Sequence, residues 1–398
     1  MNRVLRSVLS LRSCCLAVLS MLAIVSLHAQ STLAPTPPMG WNSWNHFYQH
    51  VTDADVRAAA DAMVSNGMRD AGYVYVNIDD GWQGSRLPDG TIQSNSRFPD
   101  MRALADYVHA RGMKLGIYSS PGARTCAKFE GSLGHEQQDA RTYAAWGIDY
   151  LKYDLCSYGD VLRAAGKGDV AAAFPLQKEA YRKMHDALVA TGRPIVFSLC
   201  QYGMNSVWEW GPEVGGTLWR TTGDISDSYD RMSLIGFQQA GLSRYARPGQ
   251  WNDPDMLEVG NGGMTFDEYK THMSLWAMLA APLLAGNDLS KVKPEDLAIL
   301  ENKDAIAIDQ DPLGKQGDRF SAVGPYEIWR KPLAHGRQAI ALFNRGELAH
   351  TMQVPLHDLQ VPMHAHVRDV WAGKDLIASE NYSVSVPKHG VVLLLVAP

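Results

Sequence analysis

The fold prediction begins at the stretch Asp149-Tyr150-Leu151-Lys152-Tyr153-Asp154-Leu155-Cys156, which has the pattern of a short buried strand. Apolar and aromatic residues run up to a polar tip. Lys152 and Asp154 are two positions apart, so both side chains leave the strand on one face. Because a buried charge is costly unless it is paired, these two residues need a reason to be there. If the strand belongs to a barrel, both face the barrel's mouth.

Two interpretations explain the pair. A carboxylate beside a cation stays ionised and can act as a nucleophile. An internal salt bridge without chemistry explains the same residues equally well on this stretch alone. The rest of the chain has to separate these alternatives.

The pattern of a short apolar strand followed by a helical segment repeats from Pro37 onward. Eight such units over roughly 250 residues predict a (β/α)8 TIM barrel. An open doubly wound sheet is the alternative, but its ligand crevice is local and does not need polar residues at nearly every strand end. The predicted strands are 39–42, 73–78, 113–118, 149–156, 194–200, 218–220, 250–253 and 283–288, and the predicted helices are 53–67, 101–110, 137–146 and 176–190.

Beyond Gly314 the chain consists of short strands between turns, at 327–329, 338–343, 351–354, 366–371 and 390–395. This pattern predicts an antiparallel β-sandwich of about 80 residues. We therefore expect a catalytic barrel over 30–312 and a C-terminal β-sandwich domain over 313–398. A chain of 398 residues with 46% hydrophobic composition is long enough for both.

Composition excludes some functions. A net charge of −5 argues against a nucleic-acid partner. No Cys/His cluster has metal-ligand spacing and no glycine-rich phosphate loop is present, so neither a metal nor a cofactor is expected. Eleven Trp and sixteen Tyr suit the faces of sugar rings, although they also suit an ordinary core.

The N-terminus has the layout of a secretory signal peptide. Three arginines within the first twelve residues precede an apolar run at 14–27, with a cut expected near Ala29. The run is too short and too near the start to favour a membrane anchor. We expect residues 1–29 to be removed and the protein to be secreted or periplasmic, without a membrane anchor after cleavage.

Three cysteines remain after that cut. In an oxidising compartment we expect one disulfide and one leftover thiol. Cys156 lies just past the quoted strand, and Cys126 lies in the loop after the preceding strand. We predict that these two pair and that Cys200 is free.

Polar residues collect at the strand ends, where the active sites of such barrels lie. A pocket rich in carboxylates and aromatic rings suits a sugar-cleaving enzyme, in which two carboxylates break the bond and others hold hydroxyl groups. The candidates are Asp79, Asp80, Lys152, Asp154, Gln201, Arg220, Asp224, Asp253 and Asp255, with the aromatic residues Trp41, Trp44, Trp82 and Tyr118 among them.

Five blocks of the chain resemble the signature blocks of the family 27 glycoside hydrolases, which comprise α-galactosidases and α-N-acetylgalactosaminidases. The resemblance covers about 37–317, and the C-terminal sandwich fits the family by position only. The blocks are Pro38-Met39-Gly40-Trp41-Asn42-Ser43-Trp44, Asp79-Asp80-Gly81-Trp82, Leu151-Lys152-Tyr153-Asp154, Trp219-Arg220 to Asp224, and Trp251-Asn252-Asp253-Pro254-Asp255-Met256.

The resemblance implies a retaining mechanism with Asp154 as the nucleophile and Asp224 as the general acid/base. It also implies the Cys126–Cys156 disulfide. The implied sugar contacts are Asp79 and Asp80 to O6 and O4, Lys152 to O3 or O4, Trp44 as a wall, Tyr118 in the lining, and Arg220 and Asp255 near the 2-position.

The chain departs from the family at Cys200-Gln201-Tyr202-Gly203, where well-known members carry Glu-Trp after the cysteine. Gln201 is not small and can bond a 2-hydroxyl, so we expect galactose as the substrate sugar. The alternative is an α-N-acetylgalactosaminidase. A secreted galactose-binding protein on an inactive barrel is a third interpretation, but it predicts the loss of one catalytic carboxylate, and both are present.

Overall fold

The computed structural model describes residues 33–169, 171–378 and 381–398, so the predicted signal peptide lies outside the described residues. Among the residues it describes, no helix is both long enough and apolar enough to cross a membrane.

Eight parallel strands form a sheet that curls into a barrel, which confirms the predicted fold class. The first seven strands pair in chain order, and the eighth pairs with the first but not with the seventh. Leu257 closes the gap between the seventh and the eighth strand. It forms a parallel bridge with Ala285, and its backbone N–H donates to the Leu284 carbonyl over 2.8 Å. The strands are β1 Met39–Asn42, β2 Tyr75–Asn77, β3 Lys114–Ser119, β4 Tyr150–Asp154, β5 Val196–Cys200, β6 Leu218–Arg220, β7 Trp251–Asp253 and β8 Leu283–Ala285.

Helices surround the sheet, and several begin at strong capping residues. Thr52 and Thr265 each accept from the backbone of the third helical residue, whose own carboxylate binds the cap backbone in return. A small hairpin of Gln83–Arg86 and Ile92–Ser94 follows β2. The α-helices are α1 Trp44–Phe47, α2 Asp53–Ser65, α3 Met101–His109, α4 Glu136–Trp146, α5 Tyr158–Ala165, α6 Phe174–Ala190, α7 Val207–Trp210, α8 Tyr229–Phe237, α9 Phe266–Leu279, α10 Pro294–Leu300 and α11 Lys303–Asp309.

The interior of the barrel changes from apolar to polar along the strands. On β4, Tyr150, Lys152 and Asp154 share one face because side chains alternate. Tyr150 belongs to an apolar cluster at the start of the strands, whereas Lys152 and Asp154 line the cavity at their carboxyl ends. The closed end of the barrel is therefore filled with side chains, and the charged residues face the mouth. The apolar cluster consists of Tyr75, Tyr150, Val196, Leu218, Trp251, Ala246 and Ala280.

The C-terminal region consists of antiparallel sheets, as predicted. A six-stranded sheet has the order β9-β10-β11-β16-β13-β14, and β12 pairs with β15 in a separate two-stranded sheet. A cluster that includes Leu342, Val354 and Leu394 fills the space between the sheets, while Phe343 and Leu393 belong to the core shared with the barrel. The strands are β9 Asp318–Val323, β10 Tyr326–Pro332, β11 Gln338–Asn344, β12 His350–Pro355, β13 His366–Asp369, β14 Lys374–Ile377, β15 Asn381–Val386 and β16 Val391–Ala397.

Candidate active site

A cavity at the mouth of the barrel encloses about 460 Å³ when its opening is included. Its wall combines residues from the ends of β2, β3, β4 and β6 with residues from the loops that follow β1, β5, β6 and β7. Of the ten residues to which the sequence analysis gave a catalytic or sugar-binding role, nine meet there. The lining residues are Trp44, Asn45, Asp79, Asp80, Tyr118, Cys126, Lys152, Asp154, Tyr202, Arg220, Asp224, Ile225, Asp255 and Met256.

Asp154 lies at the end of β4, and only 5% of its surface is exposed. The Tyr118 hydroxyl donates to its Oδ2 over 2.9 Å, and the Tyr202 hydroxyl donates to its Oδ1 over 2.8 Å. Burial raises the pKa of the Asp154 carboxyl, while Lys152 and the two phenols act in the opposite direction. Donors on both oxygens favour the ionised form, which is the form that can attack carbon.

Lys152 forms a salt bridge, but with Asp79 rather than with Asp154. Its Nζ donates to Asp79 Oδ2 over 2.8 Å, and Asn42 Nδ2 donates to the same oxygen over 2.9 Å. Burial opposes the charge on Lys152, yet the Asp79 carboxylate holds its pKa well above the usual value. Because the Asp80 backbone N–H binds Asp79 Oδ1, both oxygens of Asp79 already have protein partners.

Asp80 differs from Asp79 in having an oxygen to offer. Its Oδ2 accepts from the Ala127 backbone over 2.6 Å, but among the described residues no donor reaches the buried Oδ1. Burial raises the pKa of Asp80 to about 6. A buried acceptor without a partner is costly, so a hydroxyl group of a bound ligand would satisfy it.

Arg220 links two carboxylates at the end of β6. Its Nη2 lies 3.0 Å from Asp224 Oδ1 and 2.8 Å from Asp255 Oδ2. Arg220 and Asp255 are buried, whereas the Asp224 side chain is 69% exposed at the cavity rim. Burial raises the pKa of Asp224, but Arg220, Lys152 and Arg231 together lower it, and the net shift is downward. Asp224 is therefore ionised and accessible, as a base requires.

The backbone of Asp255 lies in the left-handed region, with φ at 91°, which is rare for a residue other than glycine. Its N–H donates to Asp253 Oδ1, while its own oxygens accept from the Met256 and Ile225 backbone. These contacts fix its carboxylate beside Arg220, and such strain is common at functional sites. Asp253 lies behind the cavity, where burial raises its pKa to about 6.

Gln201 is the tenth of these residues, and it does not line the cavity. Its Oε1 accepts from the Gly203 backbone over 2.8 Å, and its Nε2 points to the Arg220 carbonyl at 3.5 Å. The side chain is fully buried, so it orders the loop and does not face a ligand. Tyr202 lines the cavity instead, and the prediction that the Gln201 amide bonds a 2-hydroxyl is corrected accordingly.

The aromatic candidates divide into two pairs. Trp44 and Tyr118 line the cavity as predicted. Trp41 and Trp82 are fully buried, and their ring N–H groups donate to the backbone carbonyls of Asn287 and Tyr118. Their polar atoms are thereby satisfied inside the core, so neither faces the cavity.

Sequence reasoning missed four residues that line the cavity: Asn45, Tyr202, Ile225 and Met256. All four directly follow a predicted site residue, which is the signal that could have found them. Asn45 is held by the buried Glu258, and burial raises the pKa of that carboxyl to about 7.

The predicted Cys126–Cys156 disulfide is confirmed, and Cys200 is a free, buried cysteine. Among the described residues, the one group of potential metal ligands close enough to share an ion is Cys126, Asp154 and Cys156. Because the two sulfurs are joined to each other, neither is available as a thiolate ligand. The site thus offers carboxylates, phenols and two cations as its chemical groups.

Comparison with known proteins gives matches over both regions. A family model described as alpha galactosidase A matches residues 36–311, and one described as the alpha galactosidase C-terminal beta sandwich domain matches 323–396. Alpha-galactosidase A of Cellvibrio japonicus (strain Ueda107) is 45% identical over 408 aligned residues, covering 96% of this chain and 97% of that protein.

Solved structures agree with the sequence matches. Alpha-galactosidase I from Mortierella vinacea superposes with a TM-score of 0.85 at 35% identity, covering 92% of this chain and 98% of that one. A structure of an α-galactosidase from Saccharomyces cerevisiae with raffinose has a TM-score of 0.82 at 28% identity, with the same coverage of 92% and 98%.

Proposed function

The chain belongs to family 27 of the glycoside hydrolases, the melibiase family, and on this premise we propose that it is an α-galactosidase. It hydrolyses terminal, non-reducing α-D-galactosyl residues of oligosaccharides or polysaccharides. The single observation that carries the proposal is a buried Asp154, bonded by two phenols, in the same cavity as an exposed Asp224.

In the first half-reaction Asp154 attacks the anomeric carbon of the galactosyl group. The bond from that carbon to the leaving oxygen breaks, and Asp224 donates a proton to that oxygen. Asp224 has a lowered pKa beside Arg220. A sugar that covers it excludes water and disfavours its charge, so substrate binding moves the pKa toward the value that an acid needs.

In the second half-reaction water attacks the anomeric carbon of the galactosyl ester. Asp224 accepts the water proton, and Asp154 leaves as a carboxylate. The contact of Asp224 with Arg220 suits this step, because a cation favours the ionised form that acts as the base. Two inversions at the same carbon give net retention.

Sugar selection rests on the carboxylates beyond β2. Asp80 Oδ1 has a free lone pair for a galactose hydroxyl, whereas Asp79 mainly holds Lys152 in place. Arg220 and Asp255 stand on the opposite wall, where the family resemblance puts the 2-position. The proposed substrate class is the one to which raffinose belongs, the sugar in the Saccharomyces cerevisiae α-galactosidase structure.

The experiment is turnover of an aryl α-D-galactoside, followed by proton NMR to identify the anomer released first. We expect α-galactose before mutarotation. The matched substrate is the aryl α-N-acetylgalactosaminide, which we expect to be slower by roughly 10- to 200-fold because the acetamido group overfills the cavity. Equal rates would favour the alternative activity. Initial β-galactose would overturn the retaining mechanism, and no turnover of either glycoside would leave the binding-protein interpretation.

We also propose that the protein is exported to the periplasm or the extracellular space. The signal-peptide pattern of residues 1–29 supports export, as does the Cys126–Cys156 disulfide, because disulfides persist in oxidising compartments. Fractionation of expressing cells, with N-terminal sequencing of the exported protein, tests it. A start near Gln30 is expected, and an uncleaved cytosolic protein would contradict the proposal.

A further inference from the structure

Each oxygen of the Asp154 carboxylate accepts from a different phenol, and the two phenols have different settings. Tyr118 lies on β3 and is 1% exposed, and it donates to Oδ2 over 2.9 Å. Tyr202 lies on the loop after β5, is partly exposed, and donates to Oδ1 over 2.8 Å. Tyr202 is also the position at which the chain departs from the family pattern of Glu-Trp.

The loop holds Tyr202 in an unusual backbone conformation. Tyr202, Asn205 and Ser206 all have φ between 53° and 62°, in the left-handed region that costs energy for residues with a side chain. The buried Gln201 amide fixes the start of this loop. The strained backbone is what turns the ring of residue 202, rather than that of residue 201, toward Asp154.

Tyr202 also separates two cavities. On one side it lines the pocket that contains Asp154 and Asp224. On the other side it lines a larger groove of about 920 Å³, counted with its open side. The Tyr202 ring therefore borders both cavities, whereas Tyr118 lines the catalytic pocket and not the groove. The groove is lined by Cys126, Lys128, Leu155, Cys156, Ser157, Gly159, Asp160, Arg163, Tyr202 and Met204.

A phenol donor on Asp154 has opposite effects on the two half-reactions. It stabilises the carboxylate, so it makes the nucleophile less reactive in the first step. When the galactosyl ester breaks, negative charge returns to Asp154, and a donor at that oxygen stabilises the transition state. Hydrogen bonds to charged groups are about twice as strong as those between neutral groups, so the gain falls on the second step.

We propose that Tyr202 is a catalytic residue for deglycosylation, which rests on the α-galactosidase function proposed above. Its hydroxyl donates to Asp154 as the bond from the anomeric carbon breaks and its electron pair returns to the carboxylate. Tyr202 keeps its proton throughout, because the water proton goes to Asp224.

The test compares Tyr202→Phe with the parent on an aryl α-galactoside whose phenol is a good leaving group. A burst of phenol before steady state verifies that deglycosylation limits kcat in the variant. We expect kcat to fall roughly tenfold or more. At pH values where Asp154 is ionised, we expect kcat/KM, which reports the first step, to stay level or rise.

The acid limb of kcat/KM against pH gives a second readout. Removal of a donor from the ionised carboxylate raises the pKa of Asp154, so the limb should move to higher pH in Tyr202→Phe. Other charged and titratable groups on the surrounding elements also shift the pKa of Asp154, and the change in Tyr202→Phe adds to their effects. These groups are Tyr118, Lys152, Arg220, Cys200, Asp80 and Tyr181.

The matched control is Tyr153→Phe, which removes a buried phenol hydroxyl from β4 itself. Tyr153 packs on Tyr181 and Phe197 on the face of the strand away from Asp154. We expect its kcat, kcat/KM and acid limb to match the parent. An equal fall of kcat and kcat/KM in Tyr202→Phe, or an unchanged acid limb, would overturn the proposal. Absence of parent turnover would instead overturn the α-galactosidase function itself.

Discussion

Arg220 holds Asp224 at the rim of the cavity, with Nη2 3.0 Å from Oδ1, while the same nitrogen lies 2.8 Å from Asp255. One cation thereby anchors both the exposed carboxylate of Asp224 and the buried carboxylate of Asp255. The arrangement keeps Asp224 ionised between turnovers. Asp224 therefore has to take up its proton when the substrate binds and raises its pKa.

The role of Asp224 predicts a dependence on the leaving group. In Asp224→Ala, substrates with poor leaving groups should lose roughly 100- to 10,000-fold in kcat/KM, because their oxygen needs a proton to depart. An aryl galactoside with an acidic phenol should lose far less. Asp230→Ala is the matched control, since Asp230 is an exposed aspartate on the following helix. Equal losses on both substrates would show that Asp224 is not the acid.

Arg220 should set the alkaline limb of kcat/KM. Asp224 must be protonated to act as the acid, and Arg220 lowers its pKa. Replacement of Arg220 by Met should raise the pKa of Asp224 and move the alkaline limb to higher pH. Arg220→Lys keeps a cation beside Asp224, so its limb should stay close to that of the parent. Met also leaves Asp255 buried without its partner, so the variant should lose about 3–5 kcal/mol of stability. A limb at the same pH in both variants would contradict the account.

Asp79 and Asp80 are adjacent but should respond differently to the same substitution. Asp79→Asn removes the carboxylate that pairs with the largely buried Lys152 ammonium and should lower the free energy of unfolding by about 3–5 kcal/mol. Asp80→Asn should leave stability nearly unchanged while kcat/KM falls roughly 10- to 150-fold, because a charged acceptor for a sugar hydroxyl is lost. Chemical denaturation and kinetics on both variants would separate these outcomes. If Asp80→Asn lost stability and Asp79→Asn lost only activity, Asp79 would be the sugar-binding residue and Asp80 the structural one.

The two carboxylates should also select the hydroxymethyl group of galactose. An aryl β-L-arabinopyranoside has the same ring stereochemistry but lacks that group, so we expect a kcat/KM roughly 10- to 150-fold below that of the galactoside. In Asp80→Asn the gap between the substrates should change if Asp80 binds O6 and stay constant if it binds O4. Faster cleavage of the arabinopyranoside by the parent would refute the assignment of this pair to O6 and O4.

The strand alternation of β4 was sufficient to predict that Lys152 and Asp154 face the mouth, because a two-residue period is a property of the backbone. It could not show that Lys152 pairs with Asp79, which lies just past β2, two strands away in the sheet, since that contact joins residues 73 positions apart. The alternative of a salt bridge within the Lys152/Asp154 pair is therefore wrong: Lys152 bonds Asp79, and the partners of Asp154 are two phenols.

The Gln201 prediction failed for a local reason. It assumed that the first polar residue after β5 would face the ligand, but the left-handed backbone at Tyr202 turns the next side chain inward instead. Backbone conformations of this kind are rare outside glycine, so a pattern of residue types does not reveal them. The family resemblance identified the Gln201-Tyr202 pair as a departure, but only the structure shows that Tyr202 is the residue that lines the cavity.

Periodicity also missed several elements. In α9, ten of the fourteen residues are buried, so no polar face marks it as an amphipathic helix. Strand β14 has the opposite problem, because all four of its residues are exposed. The capping box at Thr265 and Glu268 was the remaining local signal for α9.

The central claim is that Asp154 is the nucleophile, and covalent trapping tests it most directly. A cyclitol epoxide with the galactose configuration should increase the mass of the protein by the mass of one inhibitor molecule. Peptide mapping should place the label on Asp154. Asp154→Ala should resist labelling, whereas Asp230→Ala should label like the parent. A label on Asp224, or undiminished labelling of Asp154→Ala, would contradict the account.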